Sequence, residues 1–401
     1  MKVGIIREGK VPVDKRVAFN PEQCSLIEAN YPEVDLLVQR SEIRAYTDEE
    51  YEIEGLELSN SLQEAELIFG VKEVEIKDLL PNKTYFFFSH TIKKQEYNRE
   101  LLRMVLERKI RLIDYECLRK KNGNRILGFG RYAGIVGAYN AFLTYGHRSG
   151  NYQLKPANQC KDRAEMESEL KKVTLPRGFK IVITGLGRVA GGAREILEKL
   201  DLLEVDPKAF LDQENEGPHF AQLTVEDYFK KSNGEDFSRR EVYDHPERFE
   251  SDFFKYARTA DMFIPCHYWD DRGPGIISKE ELAHQDFNLQ VIADISCDIA
   301  DPIASTLRPS TIADPIYEVD KKSGEEVAVS SAKTVSVMAV DNLPCELPRE
   351  ASTDFGEALL EYILPCLFRE DPDQVIERAT IAKDGDLTPD YEYLRDYVEG
   401  K

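Results

Sequence analysis

The chain is poor in the residues that build covalent frameworks and metal clusters. Its 401 residues hold seven cysteines, at positions 24, 117, 160, 266, 297, 345 and 366, and no two stand at C-x-x-C spacing. That scatter gives no support to a structural zinc, a redox pair or a disulfide frame. The thiols read as reduced and mostly buried, and no metal site is expected. Long apolar runs are also missing. The longest uncharged stretch, residues 132–146, has 15 residues and carries polar groups, short of the ~18 that cross a bilayer. The opening MKVGIIREGK is charged at Lys2, Arg7, Glu8 and Lys10, so no signal-peptide core fits there and the cytoplasm is the expectation. Positive charge is in deficit: 53 Lys plus Arg face 74 Asp plus Glu, a net charge of −21. So acidic a chain repels phosphate backbones, which argues against bulk nucleic acid or an anionic membrane as partner. What is present is an ordinary globular interior, 42% hydrophobic, in a chain long enough for two or three domains.

Apolar, strand-like runs recur at residues 2–6, 35–38, 67–71, 84–89 and 110–113. Asn20 is placed to cap a helix whose first position is Pro21, where a missing N–H costs nothing. Residues 96–108 repeat with helical period, with Leu101, Leu102, Met104, Val105 and Leu106 on or near one face. Strands alternating with helices predict an α/β domain with a mainly parallel sheet. A second such unit follows a polar connection near 150–175: a strand at 180–184, a Gly-rich turn, a helix to about Leu200, then strands at 261–265 and 290–295. The polar stretch 212–259 reads as an insertion on the sheet's edge or face, outside the core, and 320–327 as an exposed hairpin. Two Gly- and Ala-rich segments, 132–146 and 332–340, read as helical connectors crossing between domains. The expected fold is therefore α/β with two Rossmann-like domains and a cleft between them. The first is discontinuous, residues 1–135 plus 341–401, with a helix near 352–368 packing back on it. The second is 136–340.

KIVITGLGRVAGGA sets Gly185, Gly187 and Ala190 at G-x-G-x-x-A spacing between strand and helix. The first glycine makes the turn, the second lets backbone approach a pyrophosphate, and the helix N-terminus receives its charge. Arg188 and Val189 complete the loop, Arg188 as a candidate phosphate contact. Asp206, 21 residues beyond Gly185, is the candidate ribose acid, with Asp212 as the alternative, so NAD and NADP both stay open. His267 stands beside the cofactor strand, while Trp269 reads as packing.

Lys72 follows the strand LIFGV and His90 ends YFFFSH. Both thus sit at strand C-terminal ends, where open α/β sheets bind ligands. A Lys there is positioned for proton transfer, and a His titrates near neutrality unaided.

The segments REGKVPVDKRVAFNPE (7–22), FGVKEVE with FFSHTIKKQ, GFGRYAGIVGA (128–138) and VDNLPCELPREAS (340–352) resemble the lysine-forming saccharopine dehydrogenase family, within the alanine dehydrogenase and transhydrogenase-alpha superfamily. ITGLGRVAGGA, CHYW and ADISCDIADPIAS with TIADPIYEVD resemble its cofactor domain, particularly the lysine–ketoglutarate reductase half of the bifunctional animal and plant enzymes. The resemblance implies an NAD(P)-dependent oxidoreductase acting on a CH–NH bond: saccharopine and water give lysine and 2-oxoglutarate, reversibly, through an imine. It implies Lys72 and His90 as the acid–base pair, and Arg16, Lys93 and Arg125 as anchors for carboxylate or phosphate. Glu73, Gln95 and Glu116 would receive the lysine ammonium or fix the catalytic pair. Asp341 would face the nicotinamide or His90. The expected partners are small molecules only, with a monomer or homo-oligomer both compatible. Alanine or another amino-acid or opine dehydrogenase of the superfamily is the nearest rival, and a non-turning-over, transhydrogenase-like NAD(H) module the rival from another class. Two departures stand out. Val189 occupies a position where fungal members can carry Cys. Arg131 occupies one where relatives commonly have an apolar or aromatic residue, a cation expected at the cleft mouth with a bearing on substrate choice.

Overall fold

A computed structural model of the chain covers residues 1–9, 12–212, 215–299 and 301–401. Lys10 and Val11 of the first motif, Gln213 and Glu214 of the acidic stretch, and Ala300 lie outside the described residues. The chain divides into two compact units, Met1–Phe129 with Pro348–Lys401, and Gly130–Leu347.

In the first unit, six short strands pair in parallel: β1 (Lys2–Ile5), β2 (Asp35–Gln39), β3 (Glu57–Ser59), β4 (Leu67–Phe69), β5 (Thr84–Phe87) and β6 (Arg111–Asp114). Their order is β3-β2-β1-β4-β5-β6. The apolar runs LLV, LIF, YFF and LID are buried on both faces, as a parallel sheet covered by helices requires. β1 leads outward through β2 and β3, and β4 outward the other way, so the winding reverses between β1 and β4. That is the point at which doubly wound sheets bind ligands. Asn20 caps the helix Pro21–Asn30 in a reciprocal box with Gln23. The helix expected at 96–108 is Arg99–Glu107, preceded by the single turn Glu96–Asn98. After Pro348 the chain runs as a helix to Ala358, a wider turn over Leu359–Ile363 and a last helical turn to Phe368. It then adds the strand Thr380–Lys383 antiparallel to β6, followed by Asp386–Leu387. Neither strand is apparent from the sequence pattern.

The second unit holds β7 (Lys180–Thr184), β8 (Leu203–Glu204), β9 (His219–Leu223), a separate ribbon of β10 (Phe229–Lys231) and β11 (Phe249–Ser251), then β12 (Met262–Ile264), β13 (Val291–Ala293), β14 (Ile316–Asp320), β15 (Glu326–Val327) and β16 (Thr334–Met338). The large sheet runs β15-β14-β16-β13-β12-β7-β9-β8. β14 and β15 form the expected exposed hairpin. Two expectations are overturned. Residues 332–340 are no helical connector: they contain β16, whose five residues are all buried between β13 and β14. The β-branched Thr334, Val335 and Val337 suit that place, and the small residues do not decide it. Nor is 212–259 an insertion outside the core. It supplies β9, which lies directly beside β7, and buries Val242, Phe253 and Tyr256 in the unit's core. Polar flanks mask that short apolar run.

The other Gly-rich segment does form a helix, Gly130–Ser149, and its small residues are used inside this unit against the helix Arg188–Lys199. A Cβ on Gly134 would lie 1.9 Å from the Val189 carbonyl oxygen, and one on Gly192 2.0 Å from that of Arg131. No helix among the described residues is long and apolar enough to cross a membrane.

Candidate active site and cofactor loop

The residues read from strand ends in the first unit converge at its switch point. Gly70 and Val71 follow β4 and bring Lys72 to the C-terminal edge. There the Glu8 carboxylate, just beyond β1, accepts hydrogen bonds from the backbone N–H of Val71 at 2.7 Å and of Lys72 at 2.9 Å. Two loops that meet only in the folded chain are thereby fixed together. Burial, with the charge of Asp14, pushes the Glu8 carboxyl up to about 7, against those two bonds. Arg16 and Asp14 form a buried bidentate pair, Nε to Oδ1 at 3.0 Å and a terminal nitrogen to Oδ2 at 2.5 Å. The Arg16 guanidinium also lies 4.0 Å from the centre of the Phe129 ring. Burial favours a protonated Asp14, but Arg16, and the charge of Lys72 beyond it, hold its carboxyl below the usual range.

His90 follows β5 in the left-handed region, at φ 53°. Its Nδ1 lies 2.6 Å from Glu73 Oε1, so the residue after Lys72 orients the histidine on the neighbouring strand. The pair stands beside an aromatic floor in which Phe88, Tyr115, Phe129 and Phe355 contact one another. The backbone of that turn is fixed by buried Asp114, which accepts from Ser89 N–H and Oγ–H and from Glu116 N–H. Burial raises Asp114 to about 6.

Glu116 joins the two candidate anchors. Arg125 reaches its Oε1 at 2.8 Å and Lys93 lies 4.0 Å away, while Oε2 is buried with no hydrogen-bond partner. The Gln95 side chain accepts from Tyr97 and its carbonyl from Tyr397. Glu8, Asp14 and Asp114 were not singled out by sequence reasoning. The first two lie within the motif REGKVPVDKR, which is the signal that marks them; Asp114 ends a strand like any other.

In the second unit, Gly185 leaves β7 at φ 89°, and a Cβ there would meet the Cys266 carbonyl oxygen at 2.8 Å. Gly187 caps the helix Arg188–Lys199 without a side-chain hydrogen bond, and a Cβ on it would meet nothing within 4 Å. That helix therefore begins without a side-chain cap, and helix N-termini of this kind receive pyrophosphates. Arg188 is exposed on the first turn, Val189 packs at Gly134 and Ala190 is fully buried. Asp341 is exposed just past β16, on the same sheet edge. Asp206 does not fit a ribose acid: it follows the edge strand β8 and caps the helix Pro207–Asp212 by accepting from Lys208 and Ala209 N–H. The strand beside β7 is β9, and Thr224 follows it. Asp212 ends that short helix rather than a strand. Arg131 pairs in fork fashion with Glu195, at 2.7 and 3.0 Å, tying the two crossing helices. That pairing gives it a structural use within this unit. All seven cysteines are free thiols.

Comparison with known proteins places this geometry. Residues 4–136 match the family model for the alanine dehydrogenase/PNT N-terminal domain. The alpha-aminoadipic semialdehyde synthase of Arabidopsis thaliana is 28% identical over 439 residues, 98% of this chain and 41% of that protein. The saccharopine dehydrogenase (NAD(+), L-lysine-forming) of Schizosaccharomyces pombe is 26% identical over 385 residues, 90% of this chain and 91% of that one. The chain thus spans less than half the length of the semialdehyde synthases it matches, and most of the fungal enzyme. A solved L-alanine dehydrogenase covers 99% of this chain, and 100% of its own, at TM-score 0.65 and 14% identity, a likeness of fold. The chain is an α/β protein of the alanine dehydrogenase fold whose residues 4–136 match that N-terminal domain, and over nearly all its length it resembles the lysine-forming saccharopine dehydrogenases.

Proposed function

We propose that the chain is an NAD(P)-dependent oxidoreductase of the lysine-forming saccharopine dehydrogenase type, with the first unit as its substrate and catalytic domain and the second as its dinucleotide domain. The observation that carries it is the Lys72, Glu73 and His90 group at the ends of two adjacent parallel strands. In the reductive direction lysine's ε-amine adds to the keto carbon of 2-oxoglutarate, water leaves, and the imine is reduced to saccharopine. Lys72 and His90 hold and move the protons: one takes a proton from the attacking ammonium, the other gives one to the departing hydroxyl. Glu73 fixes His90 through Nδ1, which presents Nε2 to the reacting atoms. Arg16, Lys93 and Arg125 anchor carboxylates. The partnerless Oε2 of Glu116 receives an ammonium of lysine. A bound NAD(P)H supplies the hydride. Gly185, Gly187, Arg188, Val189 and Ala190 hold its pyrophosphate, and Asp341 lies toward its nicotinamide. The test is saccharopine with NAD or NADP, following the reduced cofactor and identifying products by mass spectrometry. Release of lysine and 2-oxoglutarate supports the proposal; turnover of alanine in place of saccharopine contradicts it.

A further inference from the structure

The segment His90–Lys94 carries two of the proposed site groups on an unusual backbone. His90 and Lys94 both lie in the left-handed region, at φ 53° and 54°, on either side of the single helical turn Thr91–Lys93. Neither is glycine, so each position is strained and persists only where the surroundings over-determine it. The two ends of this turn are held by residues that the proposed reaction does not use.

At the His90 end the holder is Asp114, fully buried at the end of β6. Its Oδ2 accepts from Ser89 N–H at 2.9 Å and from the Ser89 hydroxyl. With its proton given to Asp114, Ser89 Oγ accepts from Thr91 N–H at 3.3 Å and from the Thr91 hydroxyl at 2.7 Å. One carboxylate therefore fixes the chain on both sides of His90. Its other oxygen accepts from Glu116 N–H at 2.7 Å. A carboxylate this deep is costly where an apolar side chain could pack instead. At the Lys94 end, the Gln95 carbonyl accepts from the Tyr397 hydroxyl at 2.5 Å and from Asn98 N–H at 3.0 Å. The Lys94 ammonium lies 5.4 Å from the centre of the Tyr393 ring.

We infer that Asp114 and Tyr397 are positioning residues of the proposed reaction: they hold the His90–Lys94 turn in its strained shape, Asp114 aiming His90 at Glu73 and Tyr397 setting Lys93 for a substrate carboxylate. The inference rests on the acid–base reading of Lys72 and His90.

Kinetics of the full chain at saturating reduced cofactor test it in wild type, Asp114→Asn, Ser89→Ala and Tyr397→Phe. Asp114→Asn keeps the volume but turns an NH2 group toward one set of donors. It is expected to lower kcat by about tenfold or more, with cofactor affinity changed by less than about twofold. Ser89→Ala, which keeps the backbone bond, lowers kcat by about threefold. Tyr397→Phe weakens 2-oxoglutarate by about fivefold, in KM and in calorimetric Kd alike, and leaves kcat within about twofold. A merely structural role would move the urea midpoints and leave these constants unchanged, and that result overturns the inference. The His90 ring signals in NMR, identified by their loss in His90→Gln, report on Asp114 without turnover. In wild type the neutral ring carries its proton on Nδ1, against Glu73; in Asp114→Asn a substantial Nε2–H fraction appears. The same tautomer in both overturns the role of Asp114. If Asp114→Asn does not fold, Ser89→Ala carries both readouts. Should wild type show no lysine-dependent turnover, the proposed reaction falls, and the tautomer and the 2-oxoglutarate Kd decide this inference. Turnover in wild type with unaltered constants in the variants leaves the reaction standing and this inference fallen.

Discussion

In the proposed reaction Glu73 acts on the chemistry through His90. Their contact at 2.6 Å is between a carboxylate oxygen and Nδ1, leaving the other ring nitrogen for substrate. Residues that act as one unit are strongly non-additive. Glu73→Ala is therefore expected to lower kcat by about tenfold or more, while the double variant with His90→Gln loses no more than His90→Gln alone. Steady-state kinetics on the four proteins of the cycle measure this; multiplying losses would show that Glu73 acts independently. Lys72 and His90 are legible in the sequence because each follows an apolar run, and a strand end is a local feature. Glu8 is not, because its partners are backbone N–H groups 63 and 64 positions later. His267 is visible as a residue, but its burial belongs to the folded state.

At the scale of elements, the crossing of Gly130–Ser149 over Arg188–Lys199 brings backbone onto backbone. A methyl on Gly192 would sit 2.0 Å from a carbonyl oxygen, whereas one on the adjacent Gly191 meets nothing within 4 Å. Gly192→Ala is expected to destabilise by about 3 kcal/mol or more, and Gly191→Ala to be neutral or stabilising by up to ~1 kcal/mol. Urea unfolding of both variants checks this; equal midpoints would contradict the packing described. Buried Glu346 ties the same long helix to the turn Leu343–Glu346 by accepting from Asn140 Nδ2 at 2.8 Å. Burial raises its carboxyl from 4.5 to about 7. Across that window the folded state keeps a proton that the unfolded chain releases, so this group's contribution falls as pH rises. Glu346→Gln removes the penalty, and the variant should gain on wild type by on the order of 2–3 kcal/mol between mildly acidic and mildly alkaline solution. A pH-independent difference would contradict a raised Glu346. The misread segment 332–340 teaches the same lesson in another form: small residues permit close helices, but Thr334, Val335 and Val337 alternate with Ser336 in a strand buried on both faces.

For the whole molecule, the net charge of −21 means that the proposed diacid substrate has to be met by local cations. The candidates Arg16, Lys93 and Arg125 all lie in the first unit, Arg16 paired with Asp14 and the other two at Glu116. The units divide at 129/130 and 347/348, positions set by where long-range packing changes partner, which no local pattern records. The Gly-rich turn after β7 was legible because its spacing encodes a backbone shape. The strand beside it was not, because β9 lies 35 residues beyond β7 behind polar chain. Lys72 and His90 are proposed as an acid–base pair serving lysine-dependent imine reduction. The most direct measurement is oxidation of NADH and NADPH by wild type, Lys72→Met and His90→Gln, with 2-oxoglutarate and lysine supplied together and singly. Oxidation is expected only when both substrates are present, reduced about a hundredfold or more in either variant, with NADH affinity changed by no more than about twofold. Oxidation that proceeds without lysine, or near-wild-type rates in both variants, would contradict it.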